Sequence, residues 1–111
     1  MDTLLLVLAD PTRRAIMTLL AERERAAGEL VAAFALSQPA ISRHLRVLRE
    51  AGLVRVRDEG RQRIYRLDAA PLADLDAWLA GYRHFWSARL DALERRIEER
   101  RLSHEAMEEE G

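Results

Sequence analysis

A chain of 111 residues with a net charge of −1 is long enough for one domain with its own hydrophobic core. It contains no cysteine, which excludes disulfide bonds and thiolate metal ligands. The near-neutral balance also excludes a uniformly basic protein, but residues 41–66 contain eight arginines and only three carboxylates. Because acidic residues concentrate near the C-terminal end instead, we expect one basic face.

The N-terminal segment is short and apolar. Residues 3–8 predict a helix that must be buried on most sides, and a second subunit is an expected cover. The segment has no basic start and its apolar run ends by Asp10, so neither a signal peptide nor a membrane span is predicted and we expect a cytoplasmic protein.

Asp10 and Pro11 begin a second helix. Arg13 and Arg14 in its first turn are expected to be exposed or to form local ion pairs.

Two further helices follow a polar connector at residues 22–25. Residues 27–34 predict the third helix and residues 38–51 the fourth. Ser37 is a favourable N-cap for the fourth helix, and Gly52 is a favourable residue just after its end. Two short helices joined by a few residues, the second of them basic, are typical of a helix-turn-helix.

The fourth helix has two different faces. Ile41, Leu45 and Leu48 form a narrow apolar stripe, whereas polar and arginine side chains occupy the other side. This arrangement suits a recognition helix that enters the major groove of DNA, although an ordinary amphipathic surface helix has the same pattern. The side chains predicted to contact DNA from this segment are Ser37, Gln38, Pro39, Ser42, Arg43 and Arg46.

Beyond the fourth helix, the apolar period changes to two. Residues 53–57 and 61–67 alternate on either side of a turn at residues 58–60, which predicts a β-hairpin. A hairpin directly after a recognition helix forms a wing, and its tip residues Arg61 and Gln62 are predicted to contact DNA. Four more arginines lie on the hairpin strands, where they are either exposed to solvent or in contact with DNA, and we expect one or two of them to contact DNA: Arg55, Arg57, Arg63 and Arg66.

A long final helix is predicted over residues 71–101. Its large apolar side chains recur at steps of three and four, as in a coiled coil with one stutter. A helix of about 45 Å is too long for this small chain to cover alone, so a homodimer is expected. The predicted dimer contacts are Leu4, Leu5, Leu75, Leu79, Tyr82, Trp86 and Leu93. One domain should therefore span residues 1–101, followed by an acidic, mobile tail at residues 102–111.

Several segments between Asp10 and Leu67 carry a family resemblance. They are D-P-T-R-R from residue 10, L-S-Q-P-A-I-S-R-H-L from residue 36, L-R-E-A-G-L-V from residue 48, and Gly60-Arg61 followed by Tyr65 and Leu67. Together they resemble the ArsR/SmtB-type family of winged-helix repressors. The resemblance implies a mainly α fold with a β-hairpin wing, a winged helix-turn-helix with N- and C-terminal dimerisation helices. It also implies a homodimer that represses transcription by occluding a palindromic operator in double-stranded DNA.

The metal sites of that family are not matched. Metal-sensing members carry either a Cys-x-Cys pair on the third or fourth helix or Asp/His pairs on the last helix, and this chain lacks cysteine. His84 has no second ligand three or four residues further on, and His44 lies in the recognition helix. His104 and Glu108 are four residues apart, but in the predicted tail. The chain is therefore similar to the branch without metal sites, and no metal and no cofactor are expected.

Control of DNA binding has two interpretations at this point. Trp78, Tyr82, Phe85 and Trp86 either fill the core of the dimer interface or line a pocket for a small apolar effector of unidentified chemistry. A different class of function is a winged-helix protein-interaction module that has lost DNA binding, but the intact arginine-bearing helix argues against it. No nucleophile–base pair or glycine-rich phosphate loop is present, so an enzyme is not expected.

Overall fold

The computed structural model describes residues 1–110 of the chain and the side chains of residues 1–109. The chain divides into two compact units, with the boundary between residues 75 and 76, inside the single domain predicted over residues 1–101. No described helix is long and apolar enough to cross a membrane. The elements are α1 (Asp2–Leu8), α2 (Pro11–Glu22), β1 (Arg25–Ala26), α3 (Ala27–Ala33), α4 (Gln38–Glu50), β2 (Val54–Glu59), β3 (Gln62–Leu67), α5 (Leu72–Ala80), a 3₁₀ turn (Arg83–Phe85) and α6 (Ser87–Glu110).

The turn between α1 and α2 is held by three charged side chains. The Asp10 carboxylate accepts hydrogen bonds from the backbone N–H groups two and three residues on, at 2.8 and 3.1 Å, which confirms the N-cap. Arg13 Nε donates to the carbonyl oxygen of Val7 at 2.7 Å, and Arg14 Nη1 donates to that of Leu8 at 2.7 Å. Although Arg13 also lies 4.0 Å from the Asp10 carboxylate, the main role of both arginines is to cap the C-terminal end of α1.

The helix-turn-helix, α3 and α4, is fixed by the core. Ile41, Leu45 and Leu48 on α4 are at most 3% exposed, as their spacing predicts. Ser37 Oγ accepts a hydrogen bond from a backbone N–H in the first turn of α4 at 3.3 Å. At the other end, Gly52 has a φ of +78°, the left-handed conformation that ends the helix. The apolar face of α4 is therefore locked, and its opposite face stays free.

The sheet has three antiparallel strands in the order β1–β3–β2. The third strand was not predicted: Arg25, assigned to a polar connector, pairs with Tyr65 of β3. A strand of two residues is too short to show an alternating pattern. The hairpin itself is confirmed, but Glu59 pairs with Gln62, so the turn is formed by the two residues between them. Gly60 has a φ of +63°, as required at the first central position of a type II′ turn.

The prediction of one continuous C-terminal helix over residues 71–101 is wrong. Helix α5 ends at Ala80, and a 3₁₀ turn separates it from α6. Gly81 follows α5 directly, and glycine costs about 1 kcal/mol relative to alanine inside a helix. Helix α6 continues to Glu110, so residues 102–110, predicted as a mobile tail, are helical. Gly111 lies outside the described residues.

The seven side chains predicted at a dimer interface differ in exposure. Leu4 is 7% exposed and belongs to the core of its own chain, so it offers little surface to a partner, and its place at an interface stays a prediction. Leu75 also packs against that core and is only half-exposed. An N-terminal apolar run does not reveal by itself which of its side chains the chain buries internally. The remaining five are half-buried or exposed: Leu5, Leu79, Tyr82, Trp86 and Leu93.

Candidate DNA interface

The exposed face of α4 and the hairpin tip carry all the side chains predicted to contact DNA. Every one of the eight is exposed: Ser37, Gln38, Pro39, Ser42, Arg43, Arg46, Arg61 and Gln62. The hydroxyl oxygen of Ser37 already accepts the capping hydrogen bond, so this side chain has a structural role as well. The other seven side chains project from α4, from the hairpin turn or from the first residue of β3, and none belongs to the core.

An open concavity of about 260 Å³ lies between α4 and the hairpin. It brings together Ser42, Arg43 and Arg46 from the prediction with Arg63, for which DNA contact was left open, and with Arg49, which was not assigned to DNA. A signal for both was present in the sequence. Arg49 continues the three-residue spacing of the other α4 arginines, and Arg63 is two residues from the buried Tyr65, on the same face of β3. The tip residues do not line this concavity.

Ion pairs divide the arginines of this region into two groups. Arg55 Nε lies 2.7 Å from an Asp68 carboxylate oxygen, and Arg57 lies 2.8 Å from Glu24 and 3.1 Å from Glu59. The hydrogen bond from Arg55 lowers the pKa of Asp68, which keeps that carboxylate charged. These two guanidinium groups already have close carboxylate partners and are poorer candidates for DNA contact than arginines that have none.

The second group consists of arginines that are loosely paired or have no carboxylate nearby. Arg46 lies 4.0 Å from Glu50, and Arg63 lies 3.7 Å from Asp58 and over the Tyr65 ring. Of the side chains of residues 1–109, no carboxylate comes within 4.0 Å of Arg43 or Arg61. Exposed pairs at 4.0 Å contribute little free energy, so these cations are available for phosphates and base edges.

Comparisons with known proteins identify the family. The model of the bacterial regulatory protein family arsR matches residues 10–56. The HTH-type transcriptional regulator Rv2034 of Mycobacterium tuberculosis is 46% identical over 83 residues, which are 75% of this chain and 75% of that protein. The transcriptional repressor SdpR of Bacillus subtilis is 32% identical over 82 residues, which are 74% of this chain and 91% of that protein. The chain belongs to the ArsR family.

Solved structures agree with this assignment. An ArsR-like transcriptional regulator from Rhodococcus is 31% identical, with a TM-score of 0.65 over 85% of this chain and 89% of that one. The transcriptional repressor BigR from Xylella fastidiosa is 37% identical, with a TM-score of 0.59 over 73% of this chain and 83% of that one. The predicted winged helix-turn-helix fold is thereby confirmed. As an ArsR-family protein, the chain is a DNA-binding transcriptional regulator and not an enzyme.

The ArsR-family match runs from the start of α2 to the middle of β2, the first strand of the hairpin. It therefore includes α4 and the α4 half of the concavity, but neither the hairpin tip nor the helices after it. Among the described residues, no three histidine, aspartate or glutamate side chains are grouped as metal ligands. His104 Nε2 lies 3.1 Å from Glu108, an isolated pair on the exposed surface of α6.

Proposed function

We propose that this ArsR-family protein is a homodimeric repressor that occludes a palindromic operator and does not depend on a metal. The observation that carries the proposal is the division of α4 into a locked face and a free face. Three side chains of α4 are at most 3% exposed, while its polar side chains face solvent beside an arginine-lined concavity. The residues assigned to DNA contact are Ser37, Gln38, Pro39, Ser42, Arg43, Arg46, Arg61 and Gln62.

Within this interface, side-chain geometry suggests a division of roles. Arg43 can form two hydrogen bonds to a guanine, and Gln38 can form two to an adenine, so these residues would read bases. Arg46 and Arg61 would bind phosphates and fix the position of the protein on the duplex. Repressor names among the relatives, such as SdpR and BigR, support repression as the outcome of binding.

The homodimer is supported by the exposed apolar surface of α6. Leu90, Leu93 and Ile97 are 49%, 53% and 59% exposed, and Met107 is 71% exposed. With Arg100 and His104 at the intervening positions, these residues follow a spacing of three and four along one face. An exposed stripe that is apolar at four of these six positions marks an interaction site, and the heptad spacing favours another helix as its cover.

Charges beside this stripe favour an antiparallel pair of α6 helices. If two copies cross between residues 98 and 99, Glu94 of each copy faces Arg101 of the other. A parallel pair would instead place Arg96 of one copy against Arg101 of the other, which is repulsive. The polar Arg100 and His104 at stripe positions would specify the register at some cost in stability.

Metal independence is supported by the chemistry of the chain. It has no cysteine, and the part of the chain that the structure describes has no cluster of three oxygen or nitrogen ligands. A regulator of this kind would bind its operator equally well with and without a chelator.

The experiment that tests the proposal starts from selection of bound duplexes from a random-sequence library. The selected duplex is then titrated with protein over a range of salt concentrations, with and without EDTA, and the mass of the free protein is measured by light scattering. We expect a palindromic consensus, salt-steep binding that EDTA does not change, and the mass of two chains. Selection that yields no consensus would contradict the proposal, as would loss of binding in EDTA or a monomeric mass.

A small effector at the aromatic cluster is a second candidate for the control of this repressor. Trp78 and Tyr82 form an edge-to-face pair with ring centroids 5.2 Å apart, and both are nearly half exposed. Both tryptophans of the chain, Trp78 and Trp86, belong to the cluster, so intrinsic fluorescence reports on it directly. A saturable change in fluorescence with indole or benzoate, together with release of the operator, would support an effector pocket. Its absence would favour a purely structural interface core.

A further inference from the structure

A second arginine-rich concavity, of about 540 Å³, lies at the β2 edge of the sheet. Four arginines line it: Arg49, Arg55, Arg57 and Arg66. Arg49 also lines the concavity between α4 and the hairpin, whereas Arg55, Arg57 and Arg66 lie outside the DNA interface proposed above. Four guanidinium groups around one concavity repel one another, and their grouping therefore requires an explanation.

The strand register places two of these arginines directly opposite each other. Arg55 on β2 pairs with Arg66 on β3, on the face of the sheet opposite to Val54 and Tyr65, which are buried in the core. Like charges at directly opposed positions destabilise a sheet. Asp68 contacts Arg55 at 2.7 Å and also attracts Arg66, but more weakly and without an ion pair within 4.0 Å. The arrangement leaves positive charge on the outer face.

Ion pairing leaves two of the four arginines without a partner. Arg55 and Arg57 are held by carboxylates at 2.7 and 2.8 Å, the latter by Glu24, which also lines the concavity. Within residues 1–109, whose side chains are described, no carboxylate lies within 4.0 Å of Arg49 or Arg66. These two guanidinium groups are therefore free to bind anions from outside the chain.

This surface is continuous with the DNA interface. Arg49 lines both concavities, and with Arg43 and Arg46 it forms a row at three-residue intervals along α4, about 9 Å from end to end. The row leads from the free face of α4 to Arg66 on the outer face of the sheet. A line of separated cations of this kind matches a phosphate backbone, which carries its charges at regular intervals.

We propose that Arg49 and Arg66 bind phosphates of the DNA that flanks the operator, so that the duplex bends around the wing. The proposal rests on DNA binding by α4. Because Arg63 and Arg66 lie on opposite faces of β3, a straight duplex docked on α4 follows only one of these faces, and contact with both requires a bend. Bending is easiest at flexible steps such as TA and CA, so the flanks acquire a sequence preference without direct base contact.

The test compares two duplexes that carry the same selected operator. One, of about 22 base pairs, covers two adjacent half-sites and little more, and the other has about 10 further base pairs on each side. The wild-type protein is expected to bind the longer duplex more tightly and with a steeper salt dependence. Arg66→Ala and Arg49→Ala should each lower the salt slope on the longer duplex by about 2 per dimer and leave the slope on the shorter one much less affected. Energy transfer between dyes at the ends of the longer duplex should rise with wild-type protein and not with either variant.

Arg57→Ala is the matched control, since Arg57 lies on the same sheet but is held by Glu24 and Glu59. The Arg57→Ala variant should still bind the longer duplex more tightly than the shorter one, as the wild-type protein does. Equal binding of both duplexes by the wild-type protein would overturn the proposal while leaving operator recognition intact. If Arg57→Ala and Arg66→Ala weaken binding to the longer duplex equally, the effect comes from overall positive charge, and the proposal is also overturned. Binding of inorganic pyrophosphate that Arg66→Ala abolishes, with no dependence on duplex length, would assign the concavity to a small anion instead.

Discussion

The guanidinium of Arg13 donates a hydrogen bond of 2.7 Å from Nε to the carbonyl oxygen of Val7, and thereby joins the end of α1 to the start of α2. The same side chain reaches the carbonyl oxygen of Leu6 at 3.1 Å. A helix of seven residues is marginal on its own in water, so α1 depends on this connection. The first helix is therefore stabilised by a side chain that the sequence places in the next one.

Loss of this connection should be measurable as loss of stability. Arg13→Ala leaves two carbonyl groups without their donor and should lower the free energy of unfolding by about 1–3 kcal/mol. The matched control is Arg23→Ala, which removes an exposed ion pair with Glu29 and should cost no more than about 1 kcal/mol. Urea denaturation followed by circular dichroism measures both. Equal effects of the two variants would show that the cap of α1 does not contribute.

Base reading by α4 predicts a specific effect at one position of the operator. Arg43→Ala should cost about 1–3 kcal/mol of operator affinity and relax the preference at one base pair in each half-site. Arg55→Ala, which removes an arginine already held by Asp68, is the control and should leave the preference unchanged. Competition titrations with single-base variants of the operator measure the base preference of each variant protein at every position. A uniform loss on all sequences would make Arg43 a phosphate contact.

The wing tip is expected to act through phosphates alone. Arg61→Ala should lower the salt slope of operator binding by about 1 per protomer and leave sequence preference intact, because a phosphate contact carries no base information. The measurement is a series of binding titrations at increasing salt. If the slope does not change, the hairpin tip lies outside the interface.

The antiparallel α6 pair predicts which substitutions separate the dimer. Leu93→Arg places a charge in the apolar stripe and should halve the mass measured by light scattering. Asp91→Arg introduces the same side chain two residues earlier, away from the stripe, and should leave the mass unchanged. A dimer that survives Leu93→Arg would place the interface on other residues.

Acid should weaken the cap of α2. The hydrogen bond from the Arg13 backbone N–H is the largest cause that lowers the pKa of Asp10 below 3.8. Because the folded pKa is the lower one, this stabilisation is present above pH 3.8 and is lost as the pH falls through the folded value. Asp10→Asn keeps a capping oxygen that does not titrate, so the free energies of unfolding of the two proteins should converge as the pH falls below 3.8. A constant difference between pH 7 and pH 3 would contradict this assignment.

Features with local causes could be predicted from the sequence, and features with distant causes could not. Ser37 and Gly52 bound α4 through their own conformational preferences, so this helix and its free face were predictable. Strand β1 exists only because Arg25 meets Tyr65, forty residues away in the chain, and its two residues carry no pattern. The break at Gly81 was missed because the apolar spacing continues across it.

Tyr65 lines a concavity on each of two sides of the recognition helix α4. Its ring borders the concavity between α4 and the hairpin, and also a groove of about 280 Å³ between α3 and α4. It lies on the central strand, which is hydrogen-bonded along both edges, so a shift of the hairpin also moves the surface against which α4 rests. Contacts made by the wing and contacts made by the helix are consequently not independent. Substitutions of Arg61 and Ser42 should show a coupling free energy in a double-mutant cycle, and their effects on operator affinity should not simply add.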